Sequence, residues 1–281
     1  MQSTIQYIKQ ELNEFYPDSE VSGFIRLILE NVCNIDYSGR FLHNNIKICD
    51  GDKEKIFKIV RRLKNFEPIQ YILGETGFYN LTLNVKQGVF IPRPETEELA
   101  AWIIESNNLA DPEILDIGTG SGCIALTLKK NIEKSRVSAV EIMEDTILVA
   151  RENAEKNKLD INFILADILD SDNCKWGRYD IIVSNPPYVM DMEKSVMQPN
   201  VLNYEPEVAL FVPDDDPLKY YIAITGFAQK FLREEGWIYF EINGKLGDET
   251  VNLLREKGFR NLELKRDLSG KDRMVRGQKR V

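Results

Sequence analysis

The run Ile114-Leu115-Asp116-Ile117-Gly118-Thr119-Gly120-Ser121-Gly122 constrains the fold more than any other part of the chain. Apolar residues that read as a buried strand end at Asp116. Three glycines at alternate positions then open a helical pattern over 122–130. Glycine tolerates φ > 0 and lets backbone approach a ligand closely. From Glu113 onward the same strand-turn-helix alternation repeats. Strands are expected at 113–117, 136–142, 161–166, 179–184, 237–242 and 261–265, and helices at 122–130, 145–157, 218–233 and 248–257. A short last strand is expected near 274–279. Such alternation predicts an open, mostly parallel α/β sheet that binds ligands at the carboxyl ends of its strands.

The glycine spacing narrows the ligand. It is G-x-G-x-G, whereas a dinucleotide fingerprint would need glycine where Cys123 stands, so an NAD site is poorly matched. A Walker A loop is excluded, because no G-K-[ST] follows. Glu141 stands 19 residues beyond Gly122, at the end of the second strand. An acid there can accept both ribose hydroxyls of an adenosine ligand; taken alone it is an exposed strand-end carboxylate. Asp167 ends the third strand, and its carboxylate with Ile168 can hold the edge and face of an adenine.

The fourth strand runs into Asn185-Pro186-Pro187-Tyr188. Two prolines fix φ and remove two backbone donors. The residue before each proline is held extended. Acceptors are left over: the Asn185 side-chain oxygen and nearby carbonyls, beside an aromatic face. That combination suits a planar NH2 group. A plain proline-rich turn after a strand is the competing reading.

The first 75 residues have a different character. Ser3 or Thr4 can cap a helix through Tyr16, with Ile5, Ile8, Leu12 and Phe15 at helical spacing and Pro17 ending it. Further helices are expected over 21–32 and over 52–64, the latter with Ile56, Ile59, Val60 and Leu63 on one face. Residues 76–91 alternate apolar and polar with a break at Gly88, which predicts a hairpin-like linker. The expected division is a helical bundle over 1–75, the linker over 76–91 and the α/β domain over 92–281.

Charge and rare residues bear on partners. The formal net charge is −9 and the isoelectric point is near 5.0, whereas a protein that grips phosphates usually shows a basic face. Direct nucleic-acid binding is therefore not expected. His43 is the single histidine, which removes Ser-His-Asp triads and histidine metal sites; a structural or surface role fits it, and no metal is expected. Cys33, Cys49, Cys123 and Cys174 lie far apart with no C-x-x-C pair and read as reduced thiols. No apolar run approaches the ~18–20 residues needed to cross a bilayer. The first residues lack a basic stretch followed by an apolar one, so a cytoplasmic location and no membrane contact are expected.

The order D-x-G-x-G-x-G, acid, Asp, N-P-P-Y, each after its own strand, resembles the class I S-adenosylmethionine-dependent methyltransferases. That resemblance implies a Rossmann-like sheet with an antiparallel last strand. It also implies that the loop Asp116, Gly118, Thr119, Gly120, Ser121 and Gly122 holds the methionine part of S-adenosylmethionine. Glu141 would then hold the ribose, Asp167 and Ile168 the adenine, and Asn185 would border the cofactor. S-adenosylhomocysteine would be the product. Glu67-Pro68-Ile69-Gln70-Tyr71-Ile72-Leu73-Gly74, Phe78, and Phe90-Ile91-Pro92-Arg93-Pro94-Glu95-Thr96-Glu97 are more specific than N-P-P-Y. With Tyr204-Glu205-Pro206, Ala209-Leu210 and the run Asp267 to Arg273, they resemble the bacterial release-factor glutamine methyltransferases, the PrmC/HemK family. The likeness spans nearly the whole chain. One departure is Glu241-Ile242-Asn243-Gly244-Lys245, where the family usually has Glu-x-Gly followed soon by Gln.

The resemblance implies methylation of the glutamine side-chain nitrogen (N5) in the Gly-Gly-Gln motif of class-1 peptide chain release factors. The helical domain would bind the release factor, the enzyme acting as a monomer. Asn185, Pro186, Pro187 and Tyr188 would form the catalytic and substrate-binding loop. Pro92 to Glu97 would form part of the pocket wall near cofactor and substrate, with Arg93 in that wall or serving as an ion-pair residue, and Glu205 would orient the N-P-P-Y loop or cap a turn. Two other functions stay in view: a nucleic-acid amino (adenine or guanine) methyltransferase, and a non-enzymatic S-adenosylmethionine-binding module.

Overall fold

The computed structural model describes residues 1–35 and 47–280, so His43 lies outside the described residues. In chain order the elements are α1 (Gln2–Leu12), α2 (Asp18–Cys33), α3 (Asp50–Leu63), α4 (Ile69–Leu73), β1 (Glu75–Phe78), β2 (Leu81–Asn84) and α5 (Pro94–Ser106). There follow β3 (Glu113–Ile117), α6 (Cys123–Asn131), β4 (Arg136–Glu141), α7 (Glu144–Asn157), β5 (Asn162–Leu165) and β6 (Tyr179–Ser184). The rest are β7 (Val189–Met190), α8 (Pro199–Leu202), β8 (Phe211–Val212), α9 (Lys219–Phe231), β9 (Leu232–Glu241), α10 (Gly247–Glu256), β10 (Arg260–Arg266) and β11 (Asp272–Gln278).

Two compact units divide the chain: Met1–Gly74 with Pro199–Tyr204, and Glu75–Gln198 with Glu205–Val281. In the helical unit, Ile8, Leu12, Val21, Ile25, Ile28, Leu29, Ile56, Val60 and Leu63 are buried in one cluster, at the helical spacing the sequence carries. The expected cap at Ser3 or Thr4 is corrected. Helix α1 begins at Gln2 after Met1 without a side-chain cap, so both hydroxyl residues lie inside its first turn. Helix α3 starts earlier than expected, because the Cys49 Sγ accepts the Asp52 N–H at 3.3 Å and serves as the cap.

The second unit is built on a seven-stranded sheet in the order β10-β11-β9-β6-β3-β4-β5. Strands β3, β4, β5, β6 and β9 run parallel to their neighbours in that set, while β11 is antiparallel to both β9 and β10. Alternation along each strand fills two layers. Ile114 of β3, Ile181 and Val183 of β6 and Tyr239 of β9 pack under α5 and α6. Leu115 and Ile117, Ile182, and Ile238 and Phe240 pack against α9 and α10 on the other face. The β1–β2 hairpin belongs to the first of these layers through Phe78, Leu81 and Leu83. Strand β9 begins at Leu232, five residues before the expected start at 237. Its early part carries Glu235 at φ 63° and a register shift against β6; that irregular stretch hides its period from the sequence.

Chain order reverses about β3: β4 and β5 extend the sheet one way, β6 and β9 the other. The carboxyl ends of β3 and β6 therefore flank a crevice, the place where such sheets bind ligands.

Candidate active site

At that crevice lies a cavity of about 320 Å³ lined by Gly118, Gly120, Glu141, Asp167, Asn185 and Tyr188 among others. Its floor is the glycine turn. Gly118, Gly120 and Gly122 have φ of 74°, 57° and 85°, all in the left-handed region. The Gly118 and Thr119 N–H groups both donate to the Val140 carbonyl at 2.9 Å, which pins the turn to the end of β4. From α7, the buried Asn153 donates to the Ser121 carbonyl at 2.9 Å and to the Asn84 carbonyl at 3.0 Å, fixing turn and hairpin together. A Cβ on Gly118 or Gly120 would meet nothing within 4 Å, so at these positions glycine serves the backbone angle. Gly122 differs: a Cβ there would lie 3.2 Å from the Leu126 Cδ1 and 3.4 Å from the Ala150 Cβ. With the left-handed backbone added, Gly122→Ala should lose about 1–2 kcal/mol of unfolding free energy. Urea denaturation of the pure variant checks this, and a wild-type midpoint with unchanged slope would refute it.

Asp116 is fully buried beneath the turn. Its Oδ2 accepts the Thr119 hydroxyl at 2.6 Å and the Ala125 N–H of α6 at 3.2 Å. Burial pushes the Asp116 carboxyl up to about 7, and the nearby Glu141 charge adds to the shift. An unfolded aspartate ionises near ~3.9. Between those values the unfolded chain gives up a proton that the folded state keeps, so stability falls as pH rises through that window and levels off above it. Burial pushes Glu141 and Glu241 in the same direction. Asp116→Asn should therefore flatten part of the decline in unfolding free energy of the ligand-free protein between about pH 5 and 7. An unchanged slope would contradict the buried carboxyl's role.

Glu141 ends β4 with its carboxylate against the cavity. Its Oε2 accepts the Gly120 N–H at 3.0 Å, and its Oε1 accepts the Ile142 and Met143 N–H groups at 2.9 and 3.1 Å. Those bonds hold it rigidly and oppose the effect of burial. A carboxylate offers about four acceptor positions, so some capacity still faces the cavity. Asp167 caps the short 3-10 turn Ile168–Asn173, its Oδ1 accepting the Leu169 N–H at 2.8 Å. Asp167, Ile168 and Leu169 form one wall of the cavity.

The opposite wall is the N-P-P-Y segment. Ser184, the last residue of β6, donates to the Ile117 carbonyl at 2.7 Å, which sets Asn185 beside the glycine turn. Asn185 donates through Nδ2 to the Thr96 hydroxyl at 3.1 Å, and Thr96 donates to the Glu241 Oε2 at 2.6 Å. The Tyr188 hydroxyl donates to the Glu241 Oε1 at 3.0 Å. Burial raises the Tyr188 phenol, and the Glu241 charge raises it further. Asn243, the residue that departs from the family pattern, donates through Nδ2 to the Tyr188 carbonyl at 3.1 Å and to the Glu193 Oε2 at 2.8 Å. Lys245 completes that clamp on Glu193 at 2.7 Å.

Arg93 pairs with the buried Glu205 and lies over the Phe90 ring at 4.8 Å from its centroid. Glu205 also accepts the Ile91 N–H at 3.2 Å. Its contacts therefore tie the segment after N-P-P-Y to the strap that leads into α5. Of the sequence-derived residues, Gly118 to Ser121, Glu141, Asp167, Ile168 and Asn185 to Tyr188 line this one cavity, while Asp116 and Gly122 hold the turn from behind it and Arg93 is not among the lining residues. Sequence reasoning gave no role to Asn153 or Glu241, and gave Thr96 only a place in the Pro92 to Glu97 stretch of pocket wall, which Pro92 and Thr96 do line. Thr96 and Glu241 stood inside quoted blocks, but 145 positions separate them. Among the described residues no group of His, Cys, Asp or Glu is arranged to hold a metal ion.

Comparison with known proteins identifies the chain's relatives. Residues 3–74 match the PrmC N-terminal domain model, and residues 81–202 match the methyltransferase small domain model. The chain is 43% identical over 271 residues to the release factor glutamine methyltransferase of Flavobacterium psychrophilum, covering 95% of each chain. It is 40% identical to the enzyme of that name from Bacteroides thetaiotaomicron, covering 96% of each. Among solved structures, a methyltransferase from Pyrococcus furiosus aligns with a TM-score of 0.55 at 15% identity over 83% of this chain and 100% of that one. The Thermus thermophilus 16S rRNA N2 G1207 methyltransferase, solved with AdoMet and guanosine, aligns at 0.52 and 21% identity over 73% of this chain and 50% of that one. These two likenesses concern the fold, an open sheet of the class I methyltransferase kind. With 40–43% identity over nearly the full length of both relatives, the chain belongs to the release factor glutamine methyltransferase family.

Proposed function

We propose that this protein uses S-adenosylmethionine to methylate the side-chain amide nitrogen of the glutamine in the Gly-Gly-Gln motif of class-1 peptide chain release factors. The observation that carries the reading is an N-P-P-Y loop beside a glycine turn, with the Asn185 Nδ2 bonded to Thr96 and its Oδ1 left as an acceptor, in a chain with relatives of that name along its length. The residues present fit the cofactor. The turn Gly118 to Gly122 offers backbone without side-chain bulk and Asp116 lies beneath it. Glu141 offers acceptors for a ribose, and Asp167 with Ile168 an edge and a face for adenine. When bound there, S-adenosylmethionine supplies an electrophilic methyl group on a sulfonium. No phosphate needs neutralising, which suits a cavity bordered by carboxylates.

An amide nitrogen is a weak nucleophile because its lone pair is conjugated with the carbonyl, so orientation is the main lever. The Asn185 Oδ1 and the Pro186 carbonyl each accept one hydrogen of the substrate NH2. Together they fix the nitrogen and stabilise positive charge as it develops. Tyr188 packs over the amide plane, Pro187 stiffens the loop, and Arg93 with Glu205 shapes the substrate wall. No base is needed first, since the nitrogen becomes acidic once the new bond forms. The helical unit, 1–75, recognises the release factor; the hairpin segment 76–91 leads into the transferase domain, 92–281. The enzyme works as a monomer in the cytoplasm. Among the described residues no helix is long and apolar enough to cross a membrane.

Labelled methyl transfer tests the substrate class. A class-1 release factor should take up label while tRNA, ribosomal RNA and duplex DNA do not. Label on a nucleic acid and none on the factor would favour an amino methyltransferase of nucleic acids instead.

A further inference from the structure

Asn185 is useful to an amide substrate in only one of its two side-chain orientations. With Oδ1 toward the cavity it accepts a substrate hydrogen. Turned over, it presents Nδ2, and donor meets donor. The two orientations have nearly the same shape, so packing alone discriminates poorly between them. Something else must set the choice.

The hydrogen bonds around Asn185 supply it. Glu241 is 1% exposed. Each of its carboxylate oxygens faces a hydroxyl, Thr96 at 2.6 Å on Oε2 and Tyr188 at 3.0 Å on Oε1. Its backbone carbonyl accepts the Tyr221 hydroxyl at 3.1 Å. Burial raises the Glu241 carboxyl, while the Thr96 and Tyr188 hydroxyls and the Arg273 charge favour its ionised form; an ionised carboxylate only accepts, so the single Thr96 hydrogen is committed to Glu241. The Thr96 oxygen then has lone pairs alone to offer Asn185. The carboxamide must answer with N–H, at 3.1 Å, and its oxygen is left on the other side. Asn185 and Thr96 both line the cavity.

We infer that Thr96 and Glu241 are positioning residues that fix the orientation of the Asn185 carboxamide and thereby select a substrate NH2 group over a carboxylate. The inference rests on the methylation reading above and deepens it. Pro186 has no N–H, so with Asn185 locked the Asn185 Oδ1 and the Pro186 carbonyl meet the substrate group as two acceptors. A glutamate in place of the target glutamine meets two acceptors and no donor. Neither positioning residue needs to touch the substrate.

The test uses the full-length protein, its release factor and three variants. Thr96→Val keeps the shape and removes the relay. Glu241→Gln keeps the Tyr188 contact through its amide oxygen and turns an NH2 toward Thr96, reversing the relay. Thr96→Ser keeps the hydroxyl. Thr96→Val and Glu241→Gln should lower kcat by ~10-fold or more, with KM for the factor and the cofactor Kd within about two-fold. Thr96→Ser should recover most of the rate. Wild-type kcat in Thr96→Val, or a cofactor Kd that weakens in step with kcat, overturns the relay and leaves the methylation reading intact. Failure of the wild-type enzyme to methylate the factor would instead strike that reading. The relay stays testable in that event through Asn185 side-chain hydrogens in protein labelled with 15N-asparagine. Their exchange with solvent should be slow in wild type and Thr96→Ser and faster in Thr96→Val; equal rates overturn the relay.

Discussion

Asn185→Ala should lower methyl-transfer turnover by at least ~10²-fold, the scale seen when one preorganised partner at a transition state is removed. The substitution deletes the acceptor proposed for one substrate hydrogen and would leave the Pro186 carbonyl to hold the amide alone. It should not disturb the strand, because the anchor of this segment is Ser184 on the Ile117 carbonyl, with Asn243 on the Tyr188 carbonyl further along. Cofactor binding by calorimetry should therefore stay near wild type while kcat falls. The split separates the proposed role from a structural one. A variant that loses cofactor affinity as steeply as rate would mean that Asn185 serves the cofactor more than the amide. Near-normal turnover would remove the carboxamide from the mechanism.

Glu141→Ala should weaken cofactor binding by roughly 10- to 100-fold, the equivalent of about 1.5–3 kcal/mol for hydrogen bonds to a charged group. Two effects combine. A bound ribose would lose its proposed charged acceptor. The Gly120, Ile142 and Met143 N–H groups lose the carboxylate that holds them in place. Glu141→Gln separates these effects, since one amide oxygen can still serve the Ile142 and Met143 donors while the charge is gone. It should fall between wild type and alanine. The same Kd in all three proteins would return Glu141 to a strand-end acid with no ligand.

What the sequence made legible was local. The glycine turn announces itself because three positions within five residues all need φ > 0, and only glycine meets that need without strain. The helical unit was legible from its period, which burial follows at Ile56, Ile59, Val60 and Leu63, and the central strands from short apolar runs such as Ile181-Ile182-Val183, buried on both faces. The Ser3 or Thr4 cap failed because the helix begins a few residues earlier, after Met1, without a side-chain acceptor, and propensity does not forbid it. The Thr96–Glu241 and Arg93–Glu205 contacts were illegible for a different reason. They join residues 145 and 112 positions apart, and only the closed sheet brings those residues together. Asn243 shows how a departure from a family pattern can carry its own contact: its amide reaches both the Tyr188 carbonyl and Glu193.

The proposed role of the N-P-P-Y loop, holding a glutamine amide for methylation, is tested by methyl transfer to a class-1 release factor and to its Gly-Gly-Ala variant, with the modified peptide identified by mass spectrometry. One added methyl is expected on the Gly-Gly-Gln peptide, at the glutamine side-chain nitrogen, and none on the variant. Equal labelling of both factors, or a methyl on any other residue, would contradict it.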